Sequence, residues 1–193
     1  QMMGCLPVGD KGEPLRRSII WADQRSVKQA NSLKDSVGEE EVYRVTGHRI
    51  SPTYSLAKIM WVMENEPRVY EDCHKFLHAK DYIINKLTGK FVTDHSDASG
   101  MNLYNIKKKS WSPKILEAAN LDPDRLPEVK SSFDVIGGVA PEVASEIGLN
   151  SETPVVVGSG DGTAASVGAA VVNERSAYNY IGSSSWIALA TRE

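Results

Sequence analysis

The sequence predicts an α/β fold, and three observations carry that prediction. Short runs rich in β-branched and aromatic residues, such as "SIIW", "KFVTD" and "TPVVV", alternate with longer segments whose apolar residues recur at helical spacing. Capping residues or prolines open several of those longer segments, and glycines close them. With 193 residues, 41% hydrophobic and 24% charged, the chain can build a real core in one large domain, or in one domain plus a piece of another.

The opening "QMMGCLPVGDKGEPLRRSIIWADQRS" reads as two strands around a polar turn, with turn chemistry from Gly9, Asp10, Gly12 and Pro14. Val27, Ala30, Leu33 and Val37 then recur at helical spacing, and Gly47 ends the segment that follows. "SPTYSLAKIMWVMENEP" places Leu56, Ile59, Met60 and Met63 on one helical face and stops before Pro67. "AKDYIINKLTG" is a third helix, closing at Gly89, and "KFVTD" is a short strand. Ser112–Pro113 opens another helix, and Ala140–Pro141 through Gly148 repeats the same grammar. "TPVVVGSGDG" is a buried strand that runs into a glycine turn and a small-residue helix; "SAYNYIGSSSWIALAT" is two strands joined by a tight polar turn.

Composition narrows the functions. A net charge of −3 leaves no electrostatic footprint for nucleic acid, and the Lys107–Lys109 run reads as a solvated turn. No stretch approaches the roughly 20 apolar residues that span a bilayer, and no secretory signal is expected. Cys5 and Cys73, far apart, read as two free thiols in a reducing compartment, so a cytoplasmic location is expected.

The segment "VVVGSGDGTAASVGAAVV" carries the sharpest chemical question, because it sets Asp161 in a small, apolar run. Gly158, Gly160 and Gly162 allow close backbone approach to a ligand. The dinucleotide fingerprint fails at Thr163, and a P-loop fails for want of a lysine. Two readings stay open. Asp161 caps the Ala164–Ala170 helix, whose small residues would let it lie tightly on its strand. Alternatively it is a ligand-site carboxylate at the carboxyl end of a strand.

Other motifs rank lower. "YIGSSSW" lacks the last glycine of a nucleophile elbow, and all four histidines precede it, so it reads as a hairpin turn or a phosphate-holding turn. In "HKFLH", His74 and His78 stand one helical turn apart, but without a third ligand they read as surface histidines. Asp94, His95 and Asp97 of "TDHSDAS" read as self-capping loop residues. "WADQRS" combines the flat apolar platform of Trp21 with Asp23 and Arg25, the mixture that sugar C–H faces and hydroxyl edges require. Alternatively, Asp23 caps the next helix and Arg25 pairs with a carboxylate.

Taken in order, "QMMG", "IIWADQRS", "LAKIMWVMENEP", "KDYIINKLTG", "TDHSDASGMNLYNI", "IGGVAPEVASEIGL", "TPVVVGSGDGTAASVGAAVV" and "YIGSSS" resemble the FGGY carbohydrate kinases, most closely the xylulokinase-like branch. The resemblance covers essentially the whole chain. It implies an actin-like, ribonuclease-H-like ATPase architecture. Residues 1–173 would form the sugar-binding domain without its first strands, and residues 174–193 would begin the ATP-binding domain. It further implies ATP and Mg2+ as cofactors of the full-length protein, and Asp161 as the general base. Met2, Met3, Trp21, Asp23, Arg25, Gly160 and Gly162 would face the sugar, and Gly182, Ser183 and Ser184 the phosphates. The family's first phosphate loop would precede Gln1 and its adenosine segment would follow Glu193, so the isolated chain is expected to be inactive.

The implied partner is a small-molecule sugar, with neither nucleic acid nor membrane; a homodimer is compatible with it. Met3 stands where xylulokinases usually carry histidine, Gly162 where asparagine often follows the base, and Ser183 and Ser185 replace threonine and glycine. A ketopentose such as xylulose is the leading substrate, with gluconate, ribulose and glycerol as alternatives. A non-catalytic sugar-binding or regulatory protein of the same fold and an actin-like scaffold are the rivals from other classes.

Overall fold

Leu6, Pro7 and Val8 are all buried and form strand β1 (Leu6–Val8) in a computed structural model that describes residues 2–182 and 185–191. β1 pairs antiparallel with β2 (Lys75–Leu77), Leu6 opposite Leu77 and Val8 opposite Lys75. The expected return strand around Ile19 is reduced to two isolated bridges, Cys5–Ile19 and Val8–Pro14. Pro7 and Pro14 each lack an N–H, so the hairpin ladder cannot be continuous.

Four helices fill the interval between these strands: α1 (Val27–Val37), α2 (Glu39–Thr46), α3 (Ser55–Asn65) and α4 (Pro67–Asp72). Gly47 closes α2 in the left-handed conformation, as its sequence position predicts. Pro67 both stops α3 and opens α4. Leu33, Val42, Leu56, Ile59, Phe76, Leu103 and Ile115 meet in the largest apolar cluster. Val27, expected on the inner face of α1, is 48% exposed instead, while Gln29 is buried and donates to Glu64 at 2.8 Å. A partner carboxylate on α3 makes that polar burial tolerable.

The second half is built around α5 (Ala79–Thr88), which ends at left-handed Gly89. It is followed by β3 (Val92–Asp94), α6 (His95–Ser99), the paired β4 (Tyr104–Asn105) and β5 (Ser110–Trp111), and α7 (Pro113–Ala118). β6 (Glu128–Lys130) lies parallel to β3. β7 (Val135–Gly138) pairs antiparallel with β8 (Pro154–Val156) across α8 (Pro141–Ile147). Ile84 of α5, Val92 and Val157 form a second cluster, which brings the end of β8 next to α5 and β3.

α9 (Asp161–Gly168) and the antiparallel hairpin β9 (Ala177–Ile181) and β10 (Ser185–Leu189) follow. The small residues of α9 predict tight packing on its strand, yet none of its residues is buried. β8 is half-buried rather than buried, with Val155 inside and Val156 outside. In the hairpin, Trp186 stacks on its cross-strand partner Tyr180 at 3.9 Å and donates to the Tyr178 hydroxyl, which ties the two strands together.

Candidate active site

The site is assembled where β8 hands over to α9. The strand's carboxyl end turns through Gly158, held at φ +70°, a conformation that glycine adopts without strain. The N–H of Gly158 donates to the Ser132 carbonyl, and that of Gly160 to Ser96 Oγ, both at 2.8 Å. Gly160 is the N-cap residue and Asp161 the first residue of α9. The capping reading of Asp161 is therefore corrected: its carboxylate accepts the N–H of Gly162 at 3.0 Å from inside the helix. Asp161 is also exposed, because Val155 and Val157 turn inward before it while the turn carries it outward. A helix N-terminus is where negative charge is stabilised.

Met2 and Met3 converge on the same place. A Cβ on Gly160 would lie 2.6 Å from Met2 Sδ. A Cβ on Gly100 would lie 3.3 Å from both Met2 Cε and Met3 Cγ. Met3 has φ +61°, unusual for a residue with a Cβ, and it lines a groove of about 440 Å3 with His48, Arg49, Thr53 and Tyr54. His48 Nδ1 is 3.1 Å from the Tyr54 hydroxyl and Nε2 is 2.9 Å from Ser99 Oγ. Burial pushes the His48 pKa down and that of Tyr54 up, so both are neutral near pH 7. Sequence reasoning missed both residues, since neither falls in a spacing that marks a site.

Trp21, Asp23 and Arg25 form a separate cluster. Asp23 accepts the backbone N–H of Arg25 at 2.9 Å and pairs with its guanidinium at 2.7 Å, so the hydrogen bond from Arg25 holds the Asp23 carboxyl below its usual range. The Arg25 guanidinium stacks over Trp61 at 4.9 Å, while Trp21 is 49% exposed. Among the described residues, no hydrogen bond or ion pair joins this cluster to Met2, Met3 or Asp161. The two regions meet through the 51–54 loop: Ser26 Oγ donates to the Pro52 carbonyl, and buried Lys58 donates to the Pro52, Thr53 and Tyr54 carbonyls. Gly182 is exposed on the β9–β10 turn; Ser183 and Ser184 lie outside the described residues.

A buried polar group backs the site. Lys80 Nζ lies 2.9 Å from Asp81, 3.2 Å from Asp94 and 3.3 Å from Asp97. Burial lowers the affinity of Lys80 for its proton, and the surrounding carboxylates overcome that and hold its pKa above the ordinary value. His78 is buried, which corrects its reading as a surface histidine, and it is separated from exposed His74 by strand β2 rather than by a helical turn. Asp94 caps α6 through the N–H groups of Ser96 and Asp97, as the self-capping reading expects. Among the described residues no group of three or more His, Cys, Asp or Glu side chains could hold a metal ion.

Residues 1–168 match the N-terminal domain of the FGGY family of carbohydrate kinases. A xylulose kinase of Lactococcus lactis subsp. lactis is 36% identical over 174 residues, covering 90% of this chain and 34% of that protein. A gluconokinase of Bacillus subtilis is 31% identical over 167 residues, covering 86% of this chain and 33% of that protein. A solved xylulose kinase from Lactobacillus acidophilus superposes with a TM-score of 0.90 at 28% identity, covering 97% of this chain and 38% of that one. The chain thus spans about a third of the length of these relatives, and its α/β fold is the actin-like fold of their kind. It belongs to the FGGY family of carbohydrate kinases.

Proposed function

We propose that the protein carrying this chain transfers the γ-phosphoryl group of ATP to a hydroxyl of a small sugar, in the cytoplasm, with Asp161 as the general base. The observation that carries this reading is the placement of Asp161. It is an accessible carboxylate at the first position of α9, beside a turn that lies against Met2, whose neighbour Met3 lines the groove. As the phosphoryl group reaches the sugar oxygen, that oxygen's proton passes to the Asp161 carboxylate and ADP leaves. The rest of the work in such a reaction is positioning and charge stabilisation.

Met2, Met3, Gly160 and Gly162 bound the sugar's reacting end, while Trp21, Asp23 and Arg25 act from the far side of the 51–54 loop. Residues 174–193 begin a nucleotide-binding domain in which Gly182, Ser183 and Ser184 face the phosphates; the family match ending at 168 and the exposed β9–β10 hairpin support that division. Magnesium would accompany ATP, but Asp161 is a single carboxylate, and the described residues do not make a magnesium site by themselves. The 193-residue chain by itself, which spans about a third of its relatives' length, is expected not to turn over sugar.

A ketopentose is the leading substrate because the relatives include xylulose kinases, and gluconate is the alternative that the gluconokinase relative supports. An assay of ADP release by the full-length protein over a panel of ketopentoses, gluconate and glycerol tests the reading. Release with one sugar class supports it; no release with any would favour the non-catalytic rival.

A further inference from the structure

We propose that Asp94, with Ser96 and Ser132, is a clamp that positions the Asp161 turn, the catalytic consequence resting on the kinase reading above. Asp94 is fully buried at the end of β3. Its Oδ2 atom accepts the Ser96 hydroxyl at 2.5 Å and the Ser132 hydroxyl at 3.1 Å. Each of these serines holds one backbone N–H of the turn. Ser96 Oγ accepts Gly160 N–H, and the Ser132 carbonyl accepts Gly158 N–H. One carboxylate oxygen thereby fixes both sides of the turn that ends at Asp161.

The chemistry of the hydroxyl makes this arrangement directional. Serine has one hydroxyl proton, and Ser96 gives it to Asp94, so only lone pairs remain to meet Gly160 N–H. Lys80, 3.2 Å from Asp94 Oδ1, keeps the buried carboxylate compensated, and the aliphatic part of Lys80 lies beside Gly158. The same group extends toward the methionines. Lys80 also faces Asp97, which faces His78 at 3.4 Å; His78 Nε2 is 2.8 Å from Ser55 Oγ, which donates to the Gly4 carbonyl. The two segments that converge at the site are thus held from one buried group. Ser96 and Ser132 act through the turn rather than on substrate, so they are positioning residues.

The test uses the full-length protein with Ser96→Ala, Ser132→Ala and the hydroxyl-retaining Ser96→Thr. Backbone amide exchange across residues 158–161 is expected to speed up about tenfold in Ser96→Ala, the effect of losing one hydrogen bond, with Ser96→Thr near wild type. The turnover number is expected to fall by about 10- to 100-fold with little change in the sugar KM, because small misplacement of a reacting group costs rate rather than binding. Ser132→Ala gives the same signature more weakly and serves if Ser96→Ala folds poorly. Unchanged exchange across 158–161 overturns the clamp, and faster exchange with unchanged turnover overturns its role in positioning. If the wild-type protein turns over no sugar, the kinase reading fails while amide exchange still decides the clamp.

Discussion

Met2 fills the space above Gly160, so that any side chain at 160 would start within 2.6 Å of the Met2 sulfur. The backbone at Gly160 is ordinary, with φ −58°, and an alanine there would suffer no backbone strain. Gly160→Ala is therefore expected to displace the flexible Met2 side chain rather than the turn, at a cost of about 1 kcal/mol or less in urea unfolding. The sugar KM should rise several-fold. In the Gly160→Ala, Met2→Ala double variant the two effects should be markedly non-additive, because the residues touch.

Met3 occupies a left-handed conformation that histidine adopts more readily than most side chains with a Cβ. Met3→His is expected to leave the thermal midpoint unchanged or raised, and to add a hydrogen-bonding group to the groove beside His48 and Tyr54. A fall in KM for ketopentoses, without a matching fall for gluconate, is the expected outcome. Steady-state kinetics over both sugars would check it.

The helix ends of this fold were legible in the residues. Gly47, Gly89 and Gly148 each close a helix in the left-handed conformation, and Pro113 and Pro141 each open one. Strand partners were not. β1 pairs with β2 about 70 residues away rather than with its neighbour, and β2 is three residues long between two histidines, too short for an alternating pattern to show. The place of Asp161 between a strand and a helix was legible but its exposure was not, since burial depends on what lies over a segment. The Lys80, Asp94 and Asp97 group could not be foreseen, because charges from α5, β3 and α6 meet only in three dimensions.

Buried thiols give a pH signature. Burial pushes both Cys5 and Cys73 up from the ordinary 9.0 to about 12. Below pH 9 folded and unfolded chains both keep these protons, so the thiols contribute no slope. Between pH 9 and 12 only the unfolded chain releases them, so stability falls as pH rises, by about 1.4 kcal/mol per pH unit for each thiol. Lys58, lowered by burial to about 8, acts in the opposite sense from pH 8 to 10.5, but it is one group against two. Urea unfolding from pH 8 to 10 should show a net decline above pH 9. Cys5→Ala and Cys73→Ala should each flatten it.

Lys58 also ties the loop that separates the two halves of the proposed sugar pocket. Its ammonium donates to three carbonyls, of Pro52, Thr53 and Tyr54. Lys58→Met keeps the apolar stem but leaves those carbonyls without their donor, at a cost of about 2–3 kcal/mol. Thermal unfolding should register that loss. Amide exchange should accelerate first in residues 51–55.

Asp161 is proposed to take the proton from the sugar hydroxyl. The most direct measurement compares Asp161→Asn with the wild-type full-length protein, in turnover and in equilibrium binding of the sugar found by the panel assay. Asparagine keeps the shape and the place at the start of α9 but cannot accept that proton. Turnover is expected to fall by about 10²- to 10⁴-fold, with sugar affinity changed by no more than about threefold. Turnover within a few-fold of wild type would contradict it.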